Sequence, residues 1–289
     1  MQSSSDPAGA AAAFARGYTI EATRPKPAEI AAVAGMVGKG RQLFISSVPT
    51  QTLQDLAVLA GEARRAGLEP VVHLSARRMT SKAELDEFVA RLRGEADVRR
   101  VLVIAGDVDQ AGPYADALSV IRNGGLREAG IENIGISGYP EGHSRIDQDK
   151  IDAALPAKLA AAADAGLGVT IVSQFAFEAA PIIGWLKRLR AQGIVTPVQV
   201  GLAGPTSFKS LLRYAKLCGV NASMRGMASG AAASLLGNVG PEEIVKELAG
   251  EAPGIGPIAP HYFSFGGFEN TARYARDLAS QMSASPAMA

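Results

Sequence analysis

Residues 101–114 read VLVIAGDVDQAGPY, a short β-branched apolar run that stops at Ala105-Gly106 and then delivers two carboxylates, Asp107 and Asp109. A run of this kind bounded by glycine is the pattern of a strand covered on both faces, as in a parallel sheet. Charged residues just past the carboxyl end of such a strand sit where ligands meet α/β proteins, because loops there face a crevice while the strand is locked in the core. A plainer reading of the same aspartates is that one of them caps the helix that follows.

The same rhythm repeats on either side. Residues 17–22 (GYTIEA), 41–47 (RQLFISS) and 68–75 (LEPVVHLS) read as strands, separated by helical stretches at 27–40, 52–67 and 81–94. Pro27 falls in a first turn, glycines close the helices, and Ser81 with Glu84 has the spacing of a capping box. Beyond the opening run, 113–130 is helical and 131–143 (IENIGISGYPEGH) is a strand with a long exit. Residues 147–166 are helical, with Pro156 expected to start or kink the main helix. Strands at 167–175 and 196–204 then alternate with helices at 177–193 and 207–219. Only residues 224–256 break the alternation. They read as an extra pair of helices, 229–240 and 241–254, before an eighth strand at 257–265 and a closing helix at 268–282. Eight strands, each followed by a helix, predict an α/β fold of the (β/α)8 TIM-barrel type. An open doubly wound sheet is the runner-up, although no GxGxxG follows a strand and no GxxxxGK[ST] occurs. The expected organisation is a single catalytic domain over 17–284, between a frayed Ala-rich lead-in (1–16) and a short tail (285–289).

The chain has 289 residues, 47% hydrophobic and 20% charged, which gives it enough apolar material for a substantial core. Its 29 basic and 28 acidic residues leave a net charge of +1, so there is no strong field to attract nucleic acid or an anionic membrane. The single cysteine, Cys218, excludes an internal disulfide framework and fits a reducing compartment. The first sixteen residues lack the basic start and apolar centre of a secretory signal, and no apolar run approaches the roughly 18 residues of a membrane span. A soluble, cytoplasmic protein acting on small molecules is expected.

In a barrel the catalytic side chains stand at the carboxyl ends of the strands. Those ends supply Glu21, Ser46 and Ser47, His73, Asp107 and Asp109, Tyr139 with His143, Gln174 with Phe175, and then Gln199 to Gly204; the eighth strand carries His261, Tyr262 and Phe263. Glu21 is a lone acid in an apolar strand. Partial burial disfavours its charged form, which raises its pKa and suits it to general acid work. The competing reading is a structural salt bridge to Arg24 or a neighbouring lysine. The three histidines invite a metal site with Asp107 or Asp109. With no HxH, no HExxH and no paired cysteines, no metal is expected.

Taken in order, these residues resemble a known family, the flavin-dependent methylenetetrahydrofolate reductases, which are FAD-containing barrels. The marks are Glu21 in YTIEATRP, His73 in VVHLSA, Gly106-Asp107, Tyr139 to His143 in GYPEGH, Gln174 in SQFAF, the SFK that opens the seventh helix, and HYFSF. The resemblance implies that Glu21 is the general acid that assists opening of the folate five-membered ring at N10, giving a 5-iminium ion that the flavin N5 hydride reduces. It implies that Asp107 lies beside flavin and pterin, tuning the flavin potential and favouring the iminium charge. Gln174 would hydrogen-bond the pterin edge and Tyr214 would stack on folate or nicotinamide, with Phe175 and Ser210 also on the substrate side. Contacts to FAD would come from Ser47, His73, Ala105, Gly106, Asp107, Tyr114, Ala115, Tyr139, His143, Asp152 and Lys158. NAD(P)H and folate would use one flavin face in turn, which is ping-pong kinetics; a homo-oligomer is compatible with the family.

The chain also departs from that pattern. Ala105 stands where the family has an arginine before Gly-Asp. The family's fifth-helix lysine falls near Ala162, with Lys158 a turn earlier, and Asp152 stands for the aspartate that holds the ribose. Ser210 replaces a glutamine, Gly267 an arginine, and the Ser47-Val48 region a threonine. These changes mark a diverged subgroup. They also motivate two alternatives, a flavin- or folate-binding barrel without turnover and a metal-dependent hydrolase using His73, His143 and Asp107.

Overall fold

A computed structural model describes residues 7–220 and 238–284. The elements run α1 (Pro7–Arg16), β1 (Thr19–Ala22), α2 (Pro27–Val37), β2 (Gln42–Ile45), α3 (Leu53–Arg65) and β3 (Glu69–Ser75). After a 3-10 turn at Ala76–Arg78 come α4 (Lys82–Ala96), β4 (Arg100–Ile104), α5 (Ala117–Asn123), β5 (Asn133–Gly138), α6 (Gln148–Asp164) and β6 (Gly168–Ser173). The rest is α7 (Ala179–Ala191), β7 (Val198–Ala203), β8 (Thr206–Ser207), α8 (Phe208–Leu217), β9 (Asn238–Val239), α9 (Glu242–Ile255), β10 (Ile258–Phe263) and α10 (Phe268–Ala284). Eight strands close into a parallel barrel in the order β1-β10-β7-β6-β5-β4-β3-β2, which is the (β/α)8 fold expected from the alternation. The short β8 and β9 form a separate antiparallel pair. No described helix is long and apolar enough to cross a membrane.

The chain divides into two compact units. Unit one holds residues 1–20, 138–148 and 172–289. In it β10 runs beside β7 in register from Ile258↔Val198 to Phe263↔Ala203. Helix α1 packs against α9, α10 and β10, burying Ala12, Phe14 and Ala15. Pro7–Arg16, expected as frayed lead-in, is therefore a packed helix; its alanines favour a helix and Phe14 supplies the apolar anchor.

Unit two holds residues 21–137 and 149–171, where β2, β3, β4 and β5 pair in parallel. Its strands are buried as the apolar runs require: Val72 and Leu74 in β3, and Val101 and Val103 in β4, are fully enclosed. Local chemistry fixes the helix starts. Thr52 and Asp55 form a reciprocal capping box at α3. At α4 the box is offset: Ser81 Oγ accepts from Glu84 N at 3.1 Å, but Glu84 Oε2 accepts from Thr80 N and Oγ1 at 2.6 and 2.8 Å.

Other expectations were altered in detail. Helix α5 spans seven residues instead of most of 113–130, because Asp116 caps its start and Gly124-Gly125 ends it. Helix α6 runs through Pro156, so that proline does not start it. Of the extra helical pair, α9 is present. Residues 229–237 lie outside the described residues, and Asn238–Val239 pair with Thr206–Ser207 as a strand.

Candidate active site

Strand β1 delivers Glu21 at its carboxyl end with the side chain only 11% exposed. Ser46 Oγ, from the end of β2, donates to Glu21 Oε1 at 2.8 Å and itself accepts from Thr23 Oγ1 at 3.0 Å. His73 Nε2, from β3, approaches Glu21 Oε2 at 3.1 Å, yet the approach is poorly aligned and leaves that buried nitrogen without a true hydrogen bond. Arg24, the salt-bridge partner of the plainer reading, turns instead to Thr50 Oγ1 at 3.4 Å. The carboxyl is thus oriented by a hydroxyl and faced by an imidazole, a setting that can hold or release a proton.

The loop after β4 carries Ala105, Gly106, Asp107, Asp109, Tyr114 and Ala115. Asp116, and not Asp107 or Asp109, caps α5, its Oδ1 accepting from Ser119 N at 2.8 Å. Asp107 is exposed, and no hydrogen bond or ion pair engages its carboxylate among the described residues. Gly106 has φ +92°, and a Cβ there would stand 3.1 Å from Ser75 Cβ, so only glycine lets the backbone lie this close to β3. Ser75 Oγ, 2% exposed, has no hydrogen-bond partner among the described residues. Tyr114 is buried; desolvation raises its pKa, countered by Lys82 and reinforced by Asp86.

Two arginines that directly follow β3 brace this region, and neither was singled out from the sequence. Arg78 Nη1 donates to Ser47 Oγ at 2.6 Å and to Val48 O at 3.2 Å, and Nη2 to Gln51 O, which ties the β2 loop to β3. Arg77 Nε donates to Ala115 O at 2.9 Å. The available signal was the pair of charges in HLSARRM, immediately beyond a strand end. Lys158 of α6 is 8% exposed; its Nζ donates to Ser137 O at 3.4 Å. Burial pushes its pKa down to about 8, with Asp116 pulling the other way. Asp152, on the same helix, is exposed.

In unit one, Tyr139 and His143 meet edge to face at 5.5 Å, and His143 Nδ1 accepts from Arg145 N at 3.2 Å. Gln174 is already engaged: Nε2 donates to Cys218 O at 3.3 Å and Oε1 accepts from Phe175 N at 3.1 Å. Phe175, expected to touch substrate, is 1% exposed and forms the centre of an aromatic cluster with Phe177, Phe263 and Phe265. Tyr214 stacks on Phe265 at 4.1 Å with the Arg213 guanidinium 4.9 Å from its ring. Ser210, half-buried in the first turn of α8, is held by Ser207. His261, fully buried, bonds Thr19 Oγ1 at 2.8 Å through Nδ1. Among the described residues no group of three His, Cys, Asp or Glu is arranged to hold a metal ion.

Residues 47–227 match the family model described as methylenetetrahydrofolate reductase. The 5,10-methylenetetrahydrofolate reductase of Pectobacterium carotovorum subsp. carotovorum is 28% identical over 156 residues, 54% of this chain and 50% of the relative. Methylenetetrahydrofolate reductase 1 of Schizosaccharomyces pombe is 27% identical over 160 residues, 53% of this chain and 26% of the relative. The matched stretch spans half the length of the bacterial relative and about a quarter of the yeast one. With a family match over more than half of its residues, on a closed parallel barrel whose strand ends carry the acid, the histidine and the Gly-Asp pair, this chain belongs to the methylenetetrahydrofolate reductase family.

Proposed function

We propose that the chain is an oxidoreductase that interconverts 5,10-methylenetetrahydrofolate and 5-methyltetrahydrofolate with NAD(P)H, using FAD, in ping-pong fashion. The observation that carries the reading is Glu21, a nearly buried carboxyl at a strand end, oriented by Ser46 and faced by His73. As general acid, Glu21 gives its proton to folate N10 as the five-membered ring opens, and the electron pair of the breaking C–N bond goes to that nitrogen. The 5-iminium ion so formed is positive, and the exposed carboxylate of Asp107 is suited to favour that charge. Gln174 keeps one N–H and one lone pair beyond those it already uses, enough for the edge of a pterin. Tyr214 and Phe265 make a stacked pair that a flat substrate ring would lengthen.

The residues fit FAD, which when bound supplies the hydride donor and acceptor. Gly106 allows close backbone approach, and Ser75 Oγ is a buried polar atom with no hydrogen-bond partner among the described residues. Lys158 is a buried cation whose charge a phosphate would answer, and Ser47 and Asp152 of the same unit would add further contacts. Glu21→Gln separates the half-reactions. NAD(P)H oxidation should persist while folate reduction falls by about a hundredfold or more. Equal loss of both would remove Glu21 from proton transfer.

A further inference from the structure

Within unit two, a cation from the end of β3 braces the loop after β4 and has no ion-pair partner among the described residues. The residue is Arg77, just past the end of β3, where Ser75 lies beside Ile104 of β4. Its backbone N–H donates to Ala105 O at 2.9 Å, its carbonyl accepts from Ala111 N at 2.9 Å, and Nε donates to Ala115 O at 2.9 Å. One residue therefore pins residues 105–115 at their start, middle and end. Both Nη groups are left over; among the described residues they carry no hydrogen bond, and no ion pair joins Arg77 to Asp107 or Asp109. The neighbouring Arg78, by contrast, spends its Nη groups on Ser47, Val48 and Gln51.

Fixing Nε to a carbonyl removes much of the rotamer freedom of a long side chain. What remains is a planar pair of donors in the geometry that grips two oxygens of one phosphate. The segment it pins, Tyr114 to Asp116, is also the one whose Asp116 carboxylate acts on buried Lys158, so two cations serve one short stretch of loop. Ala105, whose carbonyl receives the Arg77 N–H, brings no charge of its own to the start of this loop.

We propose that Arg77 grips the diphosphate of the dinucleotide cofactor from the end of β3, through the two Nη groups that its Nε brace leaves over. The proposal rests on the FAD reading above. The test is titration of the purified protein with FAD and, separately, with riboflavin, which has the same ring system and no phosphate, followed by flavin fluorescence. Arg77→Gln should weaken FAD by about tenfold or more and leave riboflavin affinity unchanged. Adding Ala105→Arg to that variant should restore FAD affinity. Ala105→Arg alone, which leaves every brace intact, should tighten FAD and steepen its dependence on salt. Equal weakening of FAD and riboflavin in Arg77→Gln would reduce Arg77 to a loop brace, and unchanged FAD affinity would overturn the proposal outright. A native protein that binds neither flavin would instead overturn the cofactor reading on which the proposal rests.

Discussion

Lys158 costs the fold free energy unless something answers its charge. It is 8% exposed, its Nζ reaches Ser137 O at 3.4 Å, and burial brings its pKa from 10.5 to about 8. The folded pKa lies below the unfolded one, so between about 8 and 10.5 the unfolded chain holds the extra proton and stability rises with pH through that window. Below it the full penalty applies, on the order of 3 kcal/mol. Lys158→Met should therefore raise the urea midpoint of the cofactor-free protein at neutral pH and flatten the rise above pH 8. A less stable variant would mean that the bond to Ser137 outweighs the burial. The opposite effect is expected on FAD, which should bind the variant more weakly because a cation for its phosphates is gone.

At the scale of the element, the carboxyl end of α8 shows how one helix is held. The last carbonyls of a helix have no partner within it. Here Leu217 O accepts from Arg145 Nη2 at 3.0 Å, Cys218 O from Gln174 Nε2 at 3.3 Å, and Gly219 O from Ser144 N at 3.1 Å. Arg145 also places a cation at the negative end of the helix dipole. The loop after β5 and the residue after β6 thus converge on the helix that carries Tyr214. Gly219 makes this possible: it has φ +71°, and a Cβ would lie 2.8 Å from both His143 Nε2 and Ser144 Oγ. Gly219→Ala should cost about 1–3 kcal/mol from backbone strain and displaced contacts, read as a lowered melting temperature. An unchanged melting temperature would show that the loop yields freely.

Across the whole molecule, the barrel could be read in the sequence because most of its strands are largely buried apolar runs that alternate with helices, several of which carry their own start signals. Readings that depended on a single residue's surroundings fared differently. Glu21 stood out as an acid in an apolar strand, but Ser46 and His73 as its partners depend on β2 lying beside β1 and β3 beside β2. Phe175 was read as a substrate contact from its place after a strand end, and its packing against Phe177, Phe263 and Phe265 could not be seen in that pattern. Arg77 was invisible because its role arises from the register of β3 on β4, and the short α5 because Asp116 caps it later than the pattern suggested. The claim that unites the account is that these strand ends move a hydride through a bound flavin to folate. Anaerobic titration of the FAD-loaded protein tests it most directly. The account predicts that the flavin absorbance band bleaches on adding NADH or NADPH and returns on adding 5,10-methylenetetrahydrofolate. A band that never bleaches, or that bleaches and is not restored by the folate, would contradict it.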